Sequence, residues 1–207
     1  MPYYLSYQQL NNEKFKLLMD FLRKNPQFYS GKTSLDDTDF LFQKFSSPRH
    51  SQIELRSPST TPDQAVSVIL GAAYDYTSEQ LDYIKEVHLQ SMAAENKVGE
   101  LLEMYLANKL EPLGWVWCSG NFVKAVDFLK YENGNWRLLQ IKNRDNTENS
   151  SSSQIRNGTN IEKWFRTFSK PSSRRASNTN WENFPENISL NEEEFLAFVC
   201  SQLSNRY

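Results

Sequence analysis

The chain has 207 residues, a formal net charge of −2, and 39% hydrophobic and 14% aromatic residues. That is enough apolar material for one sizeable core and too much for a disordered segment. The small negative charge argues against indiscriminate binding to nucleic acid, and no apolar run nears the ~20 residues that a membrane span needs.

The charge is unevenly spread. Residues 137–175 hold nine Lys and Arg against three acids, a local +6, while the remainder carries −8. One phosphate-facing surface produces such an asymmetry, and so does a solvated polar loop. Cys118 and Cys200 lie far apart, so two buried thiols in a reducing cytoplasm are expected rather than a disulfide. The N-terminal MPYYLSYQQL lacks the basic and apolar regions of a signal peptide, which makes a cytoplasmic location the expectation.

In chain order, Leu10, Phe15, Leu18, Phe21 and Leu22 recur near helical spacing and predict a helix over 8–24, closed by Asn25-Pro26. Ser34, Asp36 and Asp37 ahead of Phe40 and Leu41 predict a short capped helix to about Phe45, then a proline-bearing loop over 46–60. Thr61-Pro62-Asp63 reads as the start of a helix through Val66, Ile69 and Leu70 towards Ala73. Thr77-Ser78-Glu79-Gln80 is a capping box opening a helix to about Leu110, with a break near Ser91. Residues 1–90 are thus a mostly helical layer, expected to support a sheet or to make a dimer interface. His50 and His88 have no further metal-ligating residues at suitable spacing and read as structural.

The stretch from Trp115 to Arg144 reads as three short strands. Asp127 ends an apolar run containing Val123, Ala125 and Val126, and Gln140 and Lys142 sit two apart in the next run. Residues two apart on a strand share a face, so Gln140 and Lys142 project together while Leu139 and Ile141 take the opposite side. Between the runs, Asn133-Gly134 is a strong hairpin signal. Folding it back brings Asp127 towards Gln140 and Lys142 at one edge of the sheet. An acid, an amide oxygen and an amine then share one patch, suited to magnesium and a water. The competing reading makes Gln140 and Lys142 ordinary polar residues on the open face of an edge strand. Further on, Ile161–Phe168 predicts a helix with Trp164, Phe165 and Phe168 turned inward. A basic loop, Lys170–Arg175, follows, and Ser189-Leu190-Asn191-Glu192 is a capping box for a last helix through Phe195, Phe198 and Val199.

Asp127, twelve intervening residues and Gln140-Ile141-Lys142 resemble the PD-(D/E)XK nuclease signature, with Gln in the second acidic slot and Val126 where a proline often stands. The acidic segment Ala94–Glu103 before it and the basic, polar stretch after Lys142 make the run from Ala94 to about Phe184 similar to type II restriction endonucleases of the SinI group. The resemblance implies an α/β (α+β) fold, a central mixed sheet flanked by helices. One domain over 1–207 is expected, with its nuclease core in 91–207. It also implies Mg2+-dependent hydrolysis of double-stranded DNA at a short palindrome (GGWCC-like), a homodimer, and functional pairing with a cognate DNA methyltransferase.

On that reading Asp127 supplies a carboxylate to magnesium and Gln140 only a neutral carbonyl, which predicts a weak metal site and a compensating helix carboxylate. Lys142 would orient the attacking water and stabilise the pentavalent phosphate. Two glutamates compete for the helix role: Glu103, from a Gly-x-x-x-Glu phrase beginning at Gly99, and Glu95, beside Asn96. They lie about 80° apart around a helix. Past Lys142, Arg144, Asp145, Asn146, Arg156 and Asn157 suit base edges. Ser150–Ser153 (Ser151 and Ser152 centrally), Thr159 and Lys163 suit the DNA backbone. Two rival functions share these residues. One is a structure-selective or repair nuclease of the same superfamily, and the other, which Gln140 keeps open, is a catalytically degenerate DNA-binding protein.

Overall fold

The apolar spacing at the N-terminus produces the first helix. Helix α1 (Tyr7–Lys24) turns Phe15, Leu18, Met19, Phe21 and Leu22 inward, and Asn25 stops it by bonding back to the Phe21 carbonyl ahead of Pro26. Helix α2 (Thr38–His50) buries Leu41 and Phe45, four residues apart. Together they cover Val116, Leu129 and Leu138 of a four-stranded sheet. This computed structural model describes residues 7–50, 53–56, 59, 61, 63–145 and 159–204.

The sheet comprises β1 (Val116–Trp117), β2 (Phe128–Glu132), β3 (Asn135–Arg144) and β4 (Ile161–Thr167), in that spatial order. The first three strands are antiparallel and β4 runs parallel to β3, so the sheet is mixed. Asn133-Gly134 forms the two-residue hairpin between β2 and β3, with both residues at positive φ (52° and 80°) as a type I′ turn demands. With helices on its flanks, this is a mixed α/β fold consistent with a restriction-endonuclease-like core.

The chain forms two compact units, residues 1–52 with 102–207, and residues 53–101. The second contains helix α3 (Gln64–Tyr74), capped by the Asp63 side chain, and the first part of helix α4 (Ser78–Leu110). The capping box holds: Thr77 N–H donates to Gln80 Oε1, and Gln80 N–H to Thr77 Oγ1. Helix α4 then runs unbroken past Ser91. In its C-terminal part Leu102, Tyr105, Leu106 and Leu110 are buried, and Tyr105 packs on Trp181, Phe195 and Phe198. Phe195 and Phe198 belong to the last helix, α5 (Glu192–Ser204). No described helix is long and apolar enough to cross a membrane.

Further expectations are corrected. Helix α2 continues to His50, in place of the expected loop from residue 46. Ile161–Thr167 is a strand, not a helix: its alternating residues pair with β3, whose backbone groups would otherwise remain open on that side. For the same reason β3 is an inner strand, so Gln140 and Lys142 are not at the sheet's edge. The last helix is capped by Asn191, whose Oδ1 accepts from Glu194 N–H, rather than by Ser189. Cys118 is buried but Cys200 is exposed.

A buried charge cluster clamps α2 to β1. Arg49, its side chain 3% exposed, bonds Glu111 Oε1 at 2.7 Å, Ser119 Oγ at 3.1 Å and the Trp117 carbonyl at 2.8 Å, and lies 4.0 Å from the Phe45 ring. Lys14 meets the other oxygen of Glu111 at 2.5 Å. Glu111→Ala strands a desolvated guanidinium, so a loss of about 3–5 kcal/mol is expected in denaturant unfolding. A loss under about 1 kcal/mol would mean that water, not Glu111, satisfies Arg49.

Candidate active site

The approach to Asp127 is fixed by the loop before it. Lys124 N–H donates to Phe28 O and Ser30 N–H to Phe122 O, which pins the loop behind α1. Gly120, at φ 102°, lies so close to α2 that a Cβ there would stand 2.6 Å from Lys44 O. Ala125 adopts φ 60° two residues before Asp127. A left-handed alanine costs roughly 1–2 kcal/mol, and such strain concentrates where the surroundings over-determine the backbone. Beyond the bend, Val126 is buried and Asp127 joins the sheet.

Asp127 N–H donates to Leu139 O at 2.9 Å, and Asp127 O accepts from Cys118 N–H at 2.8 Å. The register of β2 on β3 pairs Phe128 with Leu139, which brings Asp127 alongside the Leu139–Ile141 segment. The Asp127 carboxylate accepts the Ile141 N–H at 2.6 Å. Burial nonetheless pushes its carboxyl up from 3.8 to about 6, against the opposing pull of that N–H and of the Lys142 ammonium. Gln140 is 2% exposed, and its Oε1 is buried with no hydrogen-bond partner. A buried amide oxygen left unmatched costs about 1–3 kcal/mol, so the site is built to receive something positive or hydrogen-donating. Lys142, half-buried, lies two residues on, on the same face.

Glu103 is also held near this region. Its Oε2 accepts from Trp117 Nε1 at 2.9 Å. The buried Cys118 thiol is raised well above its usual range, first by burial and then by the negative charge of Asp127, with Glu103 and Glu111 adding and Arg49 opposing. Asp127 and Glu103 thus act on one neighbourhood. Glu95 is exposed and belongs to the other compact unit. Glu100, between them, pairs with Lys97.

Of the other candidates, the parallel register puts Lys163 beside Gln140 and Thr167 beside Arg144. Neighbouring strands are about 4.8 Å apart, so Lys163 shares the candidate site's face. Arg144 is exposed at the end of β3. Asp145 Oδ1 accepts the Ser169 N–H at 2.8 Å. Thr159 lies just before β4, whereas Asn146, Ser151, Ser152, Arg156 and Asn157 fall outside the described residues. Two residues escaped the sequence reading: Trp117, which orients Glu103, and Asn143, whose Oδ1 accepts Arg166 Nε–H at 3.0 Å. Only tertiary contact distinguishes them from any other Trp or Asn.

The donor set fits a hard divalent cation of modest affinity. The set offers one buried carboxylate and one orphaned amide oxygen, and among the described residues no group of three or more His, Cys, Asp or Glu could hold a metal. Magnesium takes few protein oxygens and keeps several waters.

The sequence model of the SinI restriction endonuclease family matches residues 7–205. The chain belongs to the SinI restriction endonuclease family. It is 50% identical to the type II restriction enzyme SinI of Salmonella infantis, over 93% of this chain and 87% of that protein. It is 48% identical to the type II restriction enzyme Eco47I of Escherichia coli over the same shares. Members of the SinI family are type II restriction endonucleases, site-specific deoxyribonucleases that hydrolyse phosphodiester bonds, and the chain is an enzyme of this class.

Proposed function

We propose that this SinI-family enzyme cleaves double-stranded DNA at a short palindrome of the GGWCC type, with Mg2+ at Asp127 and Gln140. The observation that carries the reading is a buried Asp127 carboxylate that feels the Lys142 charge and bonds the strand holding the unpartnered Gln140 Oε1. Bound there, magnesium would offset charge on the phosphate and lower the cost of forming hydroxide from water. The chain's own groups do the remainder. Asp127 is held in register by the Ile141 and Leu139 backbone, and Lys142 orients the attacking water and stabilises the extra negative charge on phosphorus. Glu103, oriented by Trp117, supplies the additional carboxylate that a neutral Gln140 calls for, in preference to Glu95.

A homodimer suits a palindrome, because two-fold protein symmetry matches two-fold DNA symmetry. Helix α3 supports it. It has no charged and no buried residue, and Ala65, Val68, Ile69 and Ala72 form an exposed apolar stripe, with Val68 64% and Ile69 63% exposed. An uncharged stripe can meet its own copy across a two-fold axis without self-repulsion. A host carrying this enzyme would require a cognate DNA methyltransferase.

The test is digestion of unmethylated phage DNA with magnesium and with EDTA. Discrete magnesium-dependent fragments, from a protein sedimenting at twice 24.2 kDa, are the expected result. A smear would favour the structure-selective nuclease. Binding without cutting would favour the degenerate DNA-binding protein, in which case Gln140→Glu should restore cleavage.

A further inference from the structure

Strands β3 and β4 run parallel and leave the sheet at the same end. Beyond Thr167 the chain makes a hairpin-like excursion and returns: Phe168 N–H donates to Asn178 O, Asn178 Nδ2 to Phe168 O, and Asn180 N–H to Arg166 O. The enclosed segment, Ser169–Ser177, contains Lys170, Arg174 and Arg175 and no acidic residue.

This loop is fastened to the strand that carries Gln140 and Lys142. Thr167 Oγ1 donates to Asn143 O at 2.8 Å, Asp145 N–H to Thr167 O at 3.1 Å, and Ser169 N–H to Asp145 Oδ1 at 2.8 Å. Arg175 shapes the loop from within: its guanidinium lies 3.8 Å from the Phe168 ring centre and bonds the Lys170 carbonyl. Lys170 and Arg174 are left exposed, and among the described residues neither side chain has an ion-pair partner.

Lys142 pairs in register with Phe165, two residues short of Thr167, and Lys170 follows three residues later. At about 3.3 Å per residue, Lys170 lies at most about 17 Å along the chain from the register partner of Lys142, or about five base-pair rises of about 3.4 Å. We propose that the 169–177 loop is a phosphate clamp, in which Lys170 and Arg174 hold the sugar–phosphate backbone of the duplex flanking the bond to be cut. A base-reading arginine needs its planar fork held in advance by a neighbour. Arg175 is held in that way but turned into the loop, whereas Arg174 is not held and is flanked by Ser172, Ser173 and Ser177, donors suited to phosphate oxygens.

The inference rests on the nuclease reading, and one experiment separates the two. Fluorescence anisotropy in calcium measures the Kd of wild type and of K170A/R174A across a salt series. The probes are a duplex spanning a mapped cut site and a duplex of unrelated sequence. Two lost phosphate contacts are expected to weaken binding to both duplexes about 10-fold and to lower the salt slope by about 1.8. R174K alone should retain the wild-type slope, since phosphate accepts a point charge. An unchanged slope with a normally folded variant overturns the clamp, and so does a loss confined to the cut-site duplex. If the wild-type protein neither binds nor cuts duplex DNA, the nuclease reading itself falls.

Discussion

Lys142→Ala is expected to lower cleavage about 10³-fold or more while leaving duplex affinity in calcium within a few-fold of wild type. The reason is differential: an ammonium aimed at developing charge stabilises the transition state more than the bound ground state. Lys142 occupies the half-buried end of β3, on the face shared by Gln140 and beside the Asp127 carboxylate. Truncation there opens no core cavity, because the enclosed residues of the strand are Leu138–Ile141. Folding should survive, and lost activity can then be read as lost chemistry. Single-turnover rates on a mapped site decide the matter. A Lys142→Ala protein that cuts at near the normal rate would remove this residue, and with it the assignment of the site. A large loss of binding would instead make Lys142 a phosphate anchor.

The second large effect couples activity to stability. Asp127→Asn is expected to abolish cleavage and yet to stabilise the metal-free protein at about pH 8. Burial raises the Asp127 carboxyl from 3.8 to about 6, so the folded chain holds this proton more tightly than the unfolded chain does. Stability from this group is therefore greatest below 3.8 and is lost as pH rises through about 6, the reverse of a salt-bridged aspartate. Above that window the buried charge costs about 1–3 kcal/mol. Asparagine is neutral throughout, and its Oδ1 still accepts the Ile141 N–H. Thermal melts of both proteins at about pH 4 and pH 8 should differ only at the higher pH. Magnesium should raise the wild-type melting temperature, with no effect on the variant. Equal stability at both pH values would contradict the buried carboxylate. For the same reason wild-type cleavage should fall as pH drops below about 6.

Much of the local structure was written in residues whose physics is short-ranged. Asn133-Gly134 specified a type I′ hairpin because few other residues tolerate two positive φ angles in succession, and that turn sets the β2–β3 register that carries Asp127 towards Leu139–Ile141. Thr77 and Gln80 close a capping box across a single helical turn. That Gln140 and Lys142 would share one face of a strand was legible because β-strand alternation depends only on neighbours along the chain. Wherever the answer depended on partners far away in sequence, the reading failed. Ile161–Thr167 has aromatic and β-branched residues compatible with either period, and only the open side of β3 made it a strand and β3 an inner one. That Gln140 would be enclosed with an unmatched oxygen, rather than displayed on an edge, follows from the same pairing. The proposed preference for Glu103 over Glu95 rests on one indole, Trp117, reaching across from β1. Sequence alone thus determined the chemical groups and the turn that joins them. Tertiary structure decided which of those groups are desolvated, because desolvation is set by whatever packs on the other side.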